Sequence, residues 1–167
     1  MTTVLVAPVA AEILVSALAC PRLRDEVAFG TRQRDLDVAA GTPVYIYAAP
    51  NSSGFKSLLK PGFVTWTGTL GALVPAVAGG ARHGMHPDPS VRPPFAEVYD
   101  YKDAAIFWHV HNLRALDEPI AYDRFRDFDG AKLFGGFAPQ WVSRGVLTNL
   151  RRKTPPVDHK ARLLRAA

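Results

Sequence analysis

The sequence predicts an α+β protein, a small β-barrel of five to six strands with peripheral helices. Three observations carry this. Short runs of β-branched and aromatic residues recur along the chain, and Val44-Tyr45-Ile46-Tyr47 is the clearest of them. One stretch, Ala10 to Ala19, is rich in Ala, Leu and Glu, and its spacing sets Ile13, Leu14, Ala17 and Leu18 on one helical face. The connections between these runs are long, which suits a small barrel better than a regular alternation of strands and helices.

The elements follow in order. Thr3 to Val9 reads as a short strand interrupted near its end by Pro8. The helix over Ala10 to Ala19 stops at Pro21, which cannot continue it. Arg22 to Phe29 is mixed, and Gly30 to Asp35 reads as a turn entering a polar strand. Thr42 to Ala49 is the best strand, bounded by Gly41 and Pro50. Asn51-Ser52-Ser53-Gly54 is a loop. Phe63 to Leu73 is a second strong strand, and Gly68 and Gly71 inside it predict a bulge or a close backbone approach. Residues 79–94 hold four prolines, three glycines, two histidines and two arginines, so they read as a long loop of the kind that carries function. Strands are expected over Phe95 to Tyr101 and Ala104 to Leu113. Asp117-Glu118-Pro119 then turns the chain, and Tyr122 to Phe128 reads as a short amphipathic helix. Val146 to Lys153 is a terminal helix or strand ending before Pro155-Pro156.

At 167 residues the chain is expected to form one domain over residues 1–150, followed by a basic tail over residues 151–167. A single cysteine, Cys20, excludes an internal disulfide and a multi-cysteine zinc site. No run approaches the roughly 18 apolar residues of a membrane span, and the apolar opening lacks a basic leader, so a cytoplasmic protein without a membrane partner is expected. Charge is segregated. Residues 1–150 hold 14 Lys and Arg against 14 Asp and Glu, whereas the tail holds Arg151, Arg152, Lys153, Lys160, Arg162 and Arg165 against Asp158 alone. The whole net charge of +5 therefore lies in the tail, where it would attract a polyanion by counterion release or simply solubilise the terminus.

The stretch from Trp108 to Ile120 follows the pattern W-x-V-x-N-L-R-x-L-D-x-P-I. It resembles the last barrel strand of the PUA-like superfamily, in its ASCH and EVE branches. Val6-Ala7-Pro8 with Ala11-Glu12-Ile13-Leu14 resembles the first strand and helix of that family, and Gly41 to Ala48 a later strand. Ala138-Pro139-Gln140-Trp141 is similar to a short segment of EVE-type relatives. The resemblance spans residues 4–125 in order. It implies a fold that handles RNA or modified nucleobases, without a cofactor. The family signature G-x-K-x-x-E-x-R aligns with Gly30 to Asp37, where Gly30 stands, Arg32 replaces lysine, Asp35 replaces glutamate and Asp37 replaces arginine. An arginine does not lose its proton at neutral pH, so Arg32 argues against a lysine-type base at this position. It suits a phosphate or carboxylate held by paired hydrogen bonds, or else a solvated ion pair with Asp35.

The candidate site residues divide by chemistry. His109 and His111 sit two apart in a strand and so face the same way. They would hydrogen-bond a base edge or a phosphate, or serve as structural histidines. A metal site would need a third ligand, which His83 or His86 could give, and no metal is expected because no further ligand falls at a characteristic spacing. Tyr47, Asn51, Ser53, Trp66 and His111 are the expected nucleobase contacts, through ring stacking and amide or hydroxyl hydrogen bonds. The bland alternatives are a core aromatic for Trp66 and an ordinary turn for Asn51 and Ser53. Arg32, Arg114, Lys60, Arg151, Arg152 and Lys153 are the expected phosphate contacts.

The leading expectation is a domain that binds nucleic acid, RNA or modified DNA, or a modified nucleobase in a cleft beside the barrel. One rival is a nuclease or amidohydrolase acting on RNA or a modified nucleoside, with Asp35, Lys56, His109 and His111 as catalysts. Another is a protein-interaction module, such as a phage-encoded inhibitor of a host factor, using residues 79–94 as its contact surface.

Overall fold

The computed structural model describes residues 2–48, 62–79, 82–96, 104–134 and 143–148, and the side chains of residues 78, 79, 82 and 83 lie outside that description. In chain order the elements are β1 (Thr3–Val9), α1 (Ala11–Ala19), a 3₁₀ turn (Pro21–Leu23), β2 (Glu26–Thr31), β3 (Pro43–Ala48) and β4 (Phe63–Pro75). They continue with β5 (Val77–Gly79), β6 (Arg82–Met85), a 3₁₀ turn (Pro89–Val91), β7 (Ile106–Ala121), a 3₁₀ turn (Tyr122–Arg124), β8 (Phe125–Arg126) and β9 (Ser143–Leu147).

Seven strands form one sheet in the order β2-β7-β4-β3-β1-β9-β8, and β5 pairs with β6 alone. Among the described strands only β1 and β3 pair in parallel, which requires the long crossover that α1 and β2 provide. The α+β character expected from the sequence is present. The closed barrel of five to six strands is not, since β2 and β8 are opposite edges of an open sheet. One α-helix is described where several peripheral helices were expected.

Alternation along the strands gives the sheet two apolar faces. Leu5, Val27, Phe29, Val44, Ile46, Leu70, Trp108 and Val110 pack with Ile13, Leu14 and Ala17 of the helix. Leu18, expected on the same helical face, is 42% exposed. On the other side Val4, Val6, Tyr47, Val64, Phe125 and Phe134 form a second cluster. Glu26, Ala28, His109 and His111 also point away from the helix, because they alternate with Val27, Phe29, Trp108 and Val110.

The largest differences from expectation lie in β7. The turn expected at Asp117-Glu118-Pro119 is strand. From Trp66↔Ala115 to Val64↔Ile120, β4 advances two residues and β7 five, so a bulge absorbs the segment. Strand β2 covers only Ile106 to His111, so no described strand needs the amide that Pro119 lacks. A second irregularity falls at Asn112, whose φ of 55° is left-handed and follows the histidine pair. The expected helix over Tyr122 to Phe128 is one 3₁₀ turn followed by β8, and Val146 belongs to strand β9.

The two glycines of β4 act as anticipated. A Cβ at Gly68 would lie 2.9 Å from the His111 carbonyl oxygen, so β4 and β7 touch backbone to side-chain position there. A Cβ at Gly71 would meet the His111 ring.

Candidate functional site

Two regions on the sheet's helix-free side collect chemically useful groups. The first lies over β2 and β7. Residues 84–94, expected as loop, run with Phe95 and Ala96 as a strap against this part of the sheet; the strand expected to open at Phe95 is not formed at those two residues, and residues 97–101 lie outside the description. Gly84 starts it with φ +82°, and a Cβ there would press on the backbone of Ala104. Arg92 Nη1 donates to Ala28 O at 2.6 Å, and its guanidinium lies 4.7 Å from the centre of the Phe107 ring. Arg22 donates to the carbonyls of Ser90 and Arg92 at 3.0 and 3.4 Å. The Phe95 amide donates to Ser16 Oγ.

Under the strap runs a chain of four groups. The Asp88 amide donates to His86 Nδ1 at 2.8 Å. His86 Nε2 and His109 Nε2 are 2.8 Å apart. His109 Nδ1 is 2.6 Å from Glu26 Oε1. His86 and His109 are both buried, and His86 sets its ring edge against Phe107. His111 lies at the margin, 44% exposed, with Nε2 3.9 Å from the same Glu26 oxygen. Burial, then the neighbouring His109 and Arg92, hold the His86 pKa below the usual histidine value. Hydrogen bonds from the Ser90 hydroxyl and amide hold the Asp88 carboxyl below the usual carboxylate range.

This arrangement bears on His86 as a metal ligand, and the His83 side chain lies outside the described residues. An amide N–H can only donate, so His86 Nδ1 carries a lone pair and its proton sits on Nε2. That proton occupies the direction in which a metal would have to bind. Among the described residues, no three His, Cys, Asp or Glu side chains are placed to hold a metal ion.

The second region is a cavity of about 620 Å³, open to solvent, at the ends of β1, β3 and β9. Val4, Pro43, Tyr45 and Leu147 give it apolar walls, and Thr2 and Thr148 line it as well. Its volume falls in the ~300–1,000 Å³ range of small-ligand sites. Tyr45 is half-buried and holds its ring edge-on to Phe125, centroids 5.5 Å apart.

The expected nucleobase contacts are scattered over the fold. Tyr47 is fully buried. Tyr122 and Phe134 meet its ring at 5.6 and 5.2 Å and stack on each other at 3.9 Å, so the protein's own rings fill the space beside it. Burial and the neighbouring Tyr122 push its phenol above the usual tyrosine pKa. Trp66 is core, packed beneath the helix, and offers no face to a ligand. His111 stays accessible but lies with Glu26 on β2 and β7, not at the cavity. Arg32 and Arg114 are exposed. Asp35 accepts from the Asp37 amide at 3.0 Å within its own turn. Asp37 pairs with Arg144 at 3.1 Å, so the aligned signature tethers a loop to β9. Asn51, Ser53, Lys56, Lys60, Arg151, Arg152 and Lys153 lie outside the described residues. No helix among the described residues is long and apolar enough to cross a membrane.

Three participants escaped sequence reasoning. Glu26 stood in a stretch read as mixed, although Val27 and Phe29 alternate with Ala28 and Gly30 as a half-buried strand does. Arg92 was one cation in a proline-rich loop. Tyr45 was read as strand, and nothing local distinguishes it from Tyr47.

No protein-family model, curated protein or solved structure matches this chain.

Proposed function

We propose that this protein binds single-stranded nucleic acid, RNA above all, and takes one base into the cavity beside Tyr45. The observation that carries the reading is that cavity, whose size and mixed lining suit a planar ring with polar edges. The sequence adds the charge. Thr148 lines the cavity, and Arg151-Arg152-Lys153 follow it after two residues. Along the chain Arg151 is three residues from Thr148 and Lys153 five. The resemblance of the strands to PUA-like domains points to the same class of ligand. The base site is thus moved from Tyr47 to Tyr45, its neighbour on the same face of β3.

Tyr45→Ala tests this directly. Loss of a stacked ring costs about 1–3 kcal/mol, which is about a 5- to 150-fold rise in Kd for a short single-stranded RNA. Fluorescence anisotropy across a salt series gives the measurement. Undetectable binding at about 50 mM salt, or equal affinity of the variant and the parent protein, contradicts the proposal.

A second reading, hydrolysis of RNA or a modified nucleoside, draws on the contact between the Glu26 carboxylate and His109. This is the pairing that orients a general base. His86 occupies His109 Nε2, however, so the ring has no free nitrogen for substrate while the strap is seated. Incubation with RNA and with acetylated cytidine decides it: no turnover retires the idea, and turnover lost in His111→Ala supports it.

A further inference from the structure

We infer that the Asp88–His86–His109–Glu26 chain is a protonation latch, which fastens residues 84–96 against the sheet at neutral pH and frees them when either imidazole gains a proton. It goes beyond nucleic-acid binding and does not depend on it.

Hydrogen-bond direction sets the tautomer of both rings. The Asp88 amide fixes His86 as the tautomer protonated on Nε2. At 2.8 Å that proton requires a lone pair on His109 Nε2. The proton of His109 must then sit on Nδ1, where a carboxylate oxygen of Glu26 accepts it at 2.6 Å. Each ring nitrogen is used once, and each neutral ring supplies one proton. A second proton on His86 would sit on Nδ1, against the Asp88 N–H. A second proton on His109 would sit on Nε2, against the His86 N–H. Either event turns a hydrogen bond into a contact between two donors, at rings that are themselves buried.

The charged groups around the chain come from three elements. Glu26 on β2 and His111 on β7 face it from the sheet. Asp88 and Arg92 belong to the strap. Arg22, in the turn Pro21–Leu23, holds the strap by two carbonyls. Asp88 favours a proton on His86, and Arg92 opposes one. Because Ser90 keeps the Asp88 carboxyl ionised, its charge is constant through the histidine range.

The sign follows from linkage. The seated His86 resists protonation, whereas a released histidine titrates near about 6.5. The latch therefore holds at full strength above that pH. Below it the free state gains about tenfold per pH unit for each extra proton it binds, down to the lowered pKa of the seated ring. Release uncovers Phe107 and the Ala28 carbonyl on the edge strand, a polar edge open to a new partner.

Hydrogen–deuterium exchange of the full chain between pH 5 and pH 8, corrected for intrinsic rates, tests this. Amides of residues 84–96 are expected to lose protection by about tenfold per pH unit below about 6.5, while those of β4 hold theirs. His86→Gln and His109→Gln are expected to flatten the pH response. Nitrogen-15 spectra of the histidine rings provide a reading that no folding defect of a variant can spoil. They should show His86 protonated on Nε2 and His109 on Nδ1 at pH 8. Protection unchanged across the range, or the opposite His86 tautomer, overturns the latch. So does zinc that raises the protection of residues 84–96 and is reversed by chelator, since a metal would then be the natural occupant.

Discussion

Trp108→Ala is expected to destabilise the protein by about 3–5 kcal/mol, much of what holds a domain of this size together. Trp108 is the largest fully buried side chain among the described residues, and it leans on Phe29 with ring centroids 5.0 Å apart. It sits on β7 under the helix, where β2, β7 and β4 meet. Removing it leaves a cavity that the surrounding strands cannot close without breaking their pairing. A urea titration followed by circular dichroism should show the midpoint falling by about 2 M, taking a slope of ~2 kcal/mol/M. Trp108→Phe is a sharper test of cause. The indole N–H is buried without a hydrogen-bond partner, so phenylalanine removes an unsatisfied donor while keeping most of the ring. Its cost should stay below about 1.5 kcal/mol. Equal losses for the two variants would show that something other than packing volume is at stake.

Deletion of residues 151–167 is expected to weaken single-stranded RNA binding by about 100-fold near 50 mM salt and leave stability almost unchanged. The segment holds six Lys and Arg against one Asp, while the remainder of the chain is neutral. Each phosphate neutralised on a single strand contributes about 0.7 to the slope of log affinity against log salt. If all six cations engage, truncation lowers the slope by about 4. The two halves of the site are then separable: Tyr45→Ala should reduce affinity with the slope retained, and truncation should flatten the slope. A truncated chain with the parent's slope would assign the phosphate contacts to Arg32, Arg114 or other cations.

The strand content of the fold was legible where β-branched and aromatic residues run together. Thr42 to Ala49 and Phe63 to Leu73 announced themselves through β-branched and aromatic residues; the structure has strand over Pro43–Ala48 within the first and extends the second to Pro75. The helix was legible too, since Ala and Leu dominate it. What failed was punctuation. Pro119 and its acidic neighbours look like a turn locally, but pairing with β4 carries the strand through them as a bulge, a tertiary effect that no short window contains. Closure failed for a similar reason, because strand order depends on distant pairings. The candidate site was half legible. The spacing of His109 and His111 placed both on one face, as expected for a strand. Their partners, Glu26 and His86, come from 83 and 23 residues away and carried no shared pattern. Tyr45 and Tyr47 lie on one face of β3, and the sequence does not distinguish the half-buried ring from the buried one. The difference between them is Phe134 and Tyr122, which come from the far end of the chain to cover one ring.

A base that enters the cavity beside Tyr45 would lie against β3 and β9. Photocrosslinking a short single-stranded RNA containing 4-thiouridine, followed by mass spectrometry, reads that position without any substitution. The proposal predicts crosslinks concentrated in peptides holding Pro43 to Ala48 and Ser143 to Thr148. Crosslinks confined to the strap of residues 84–96, or spread along the exposed surface and lost at about 150 mM salt, would contradict it.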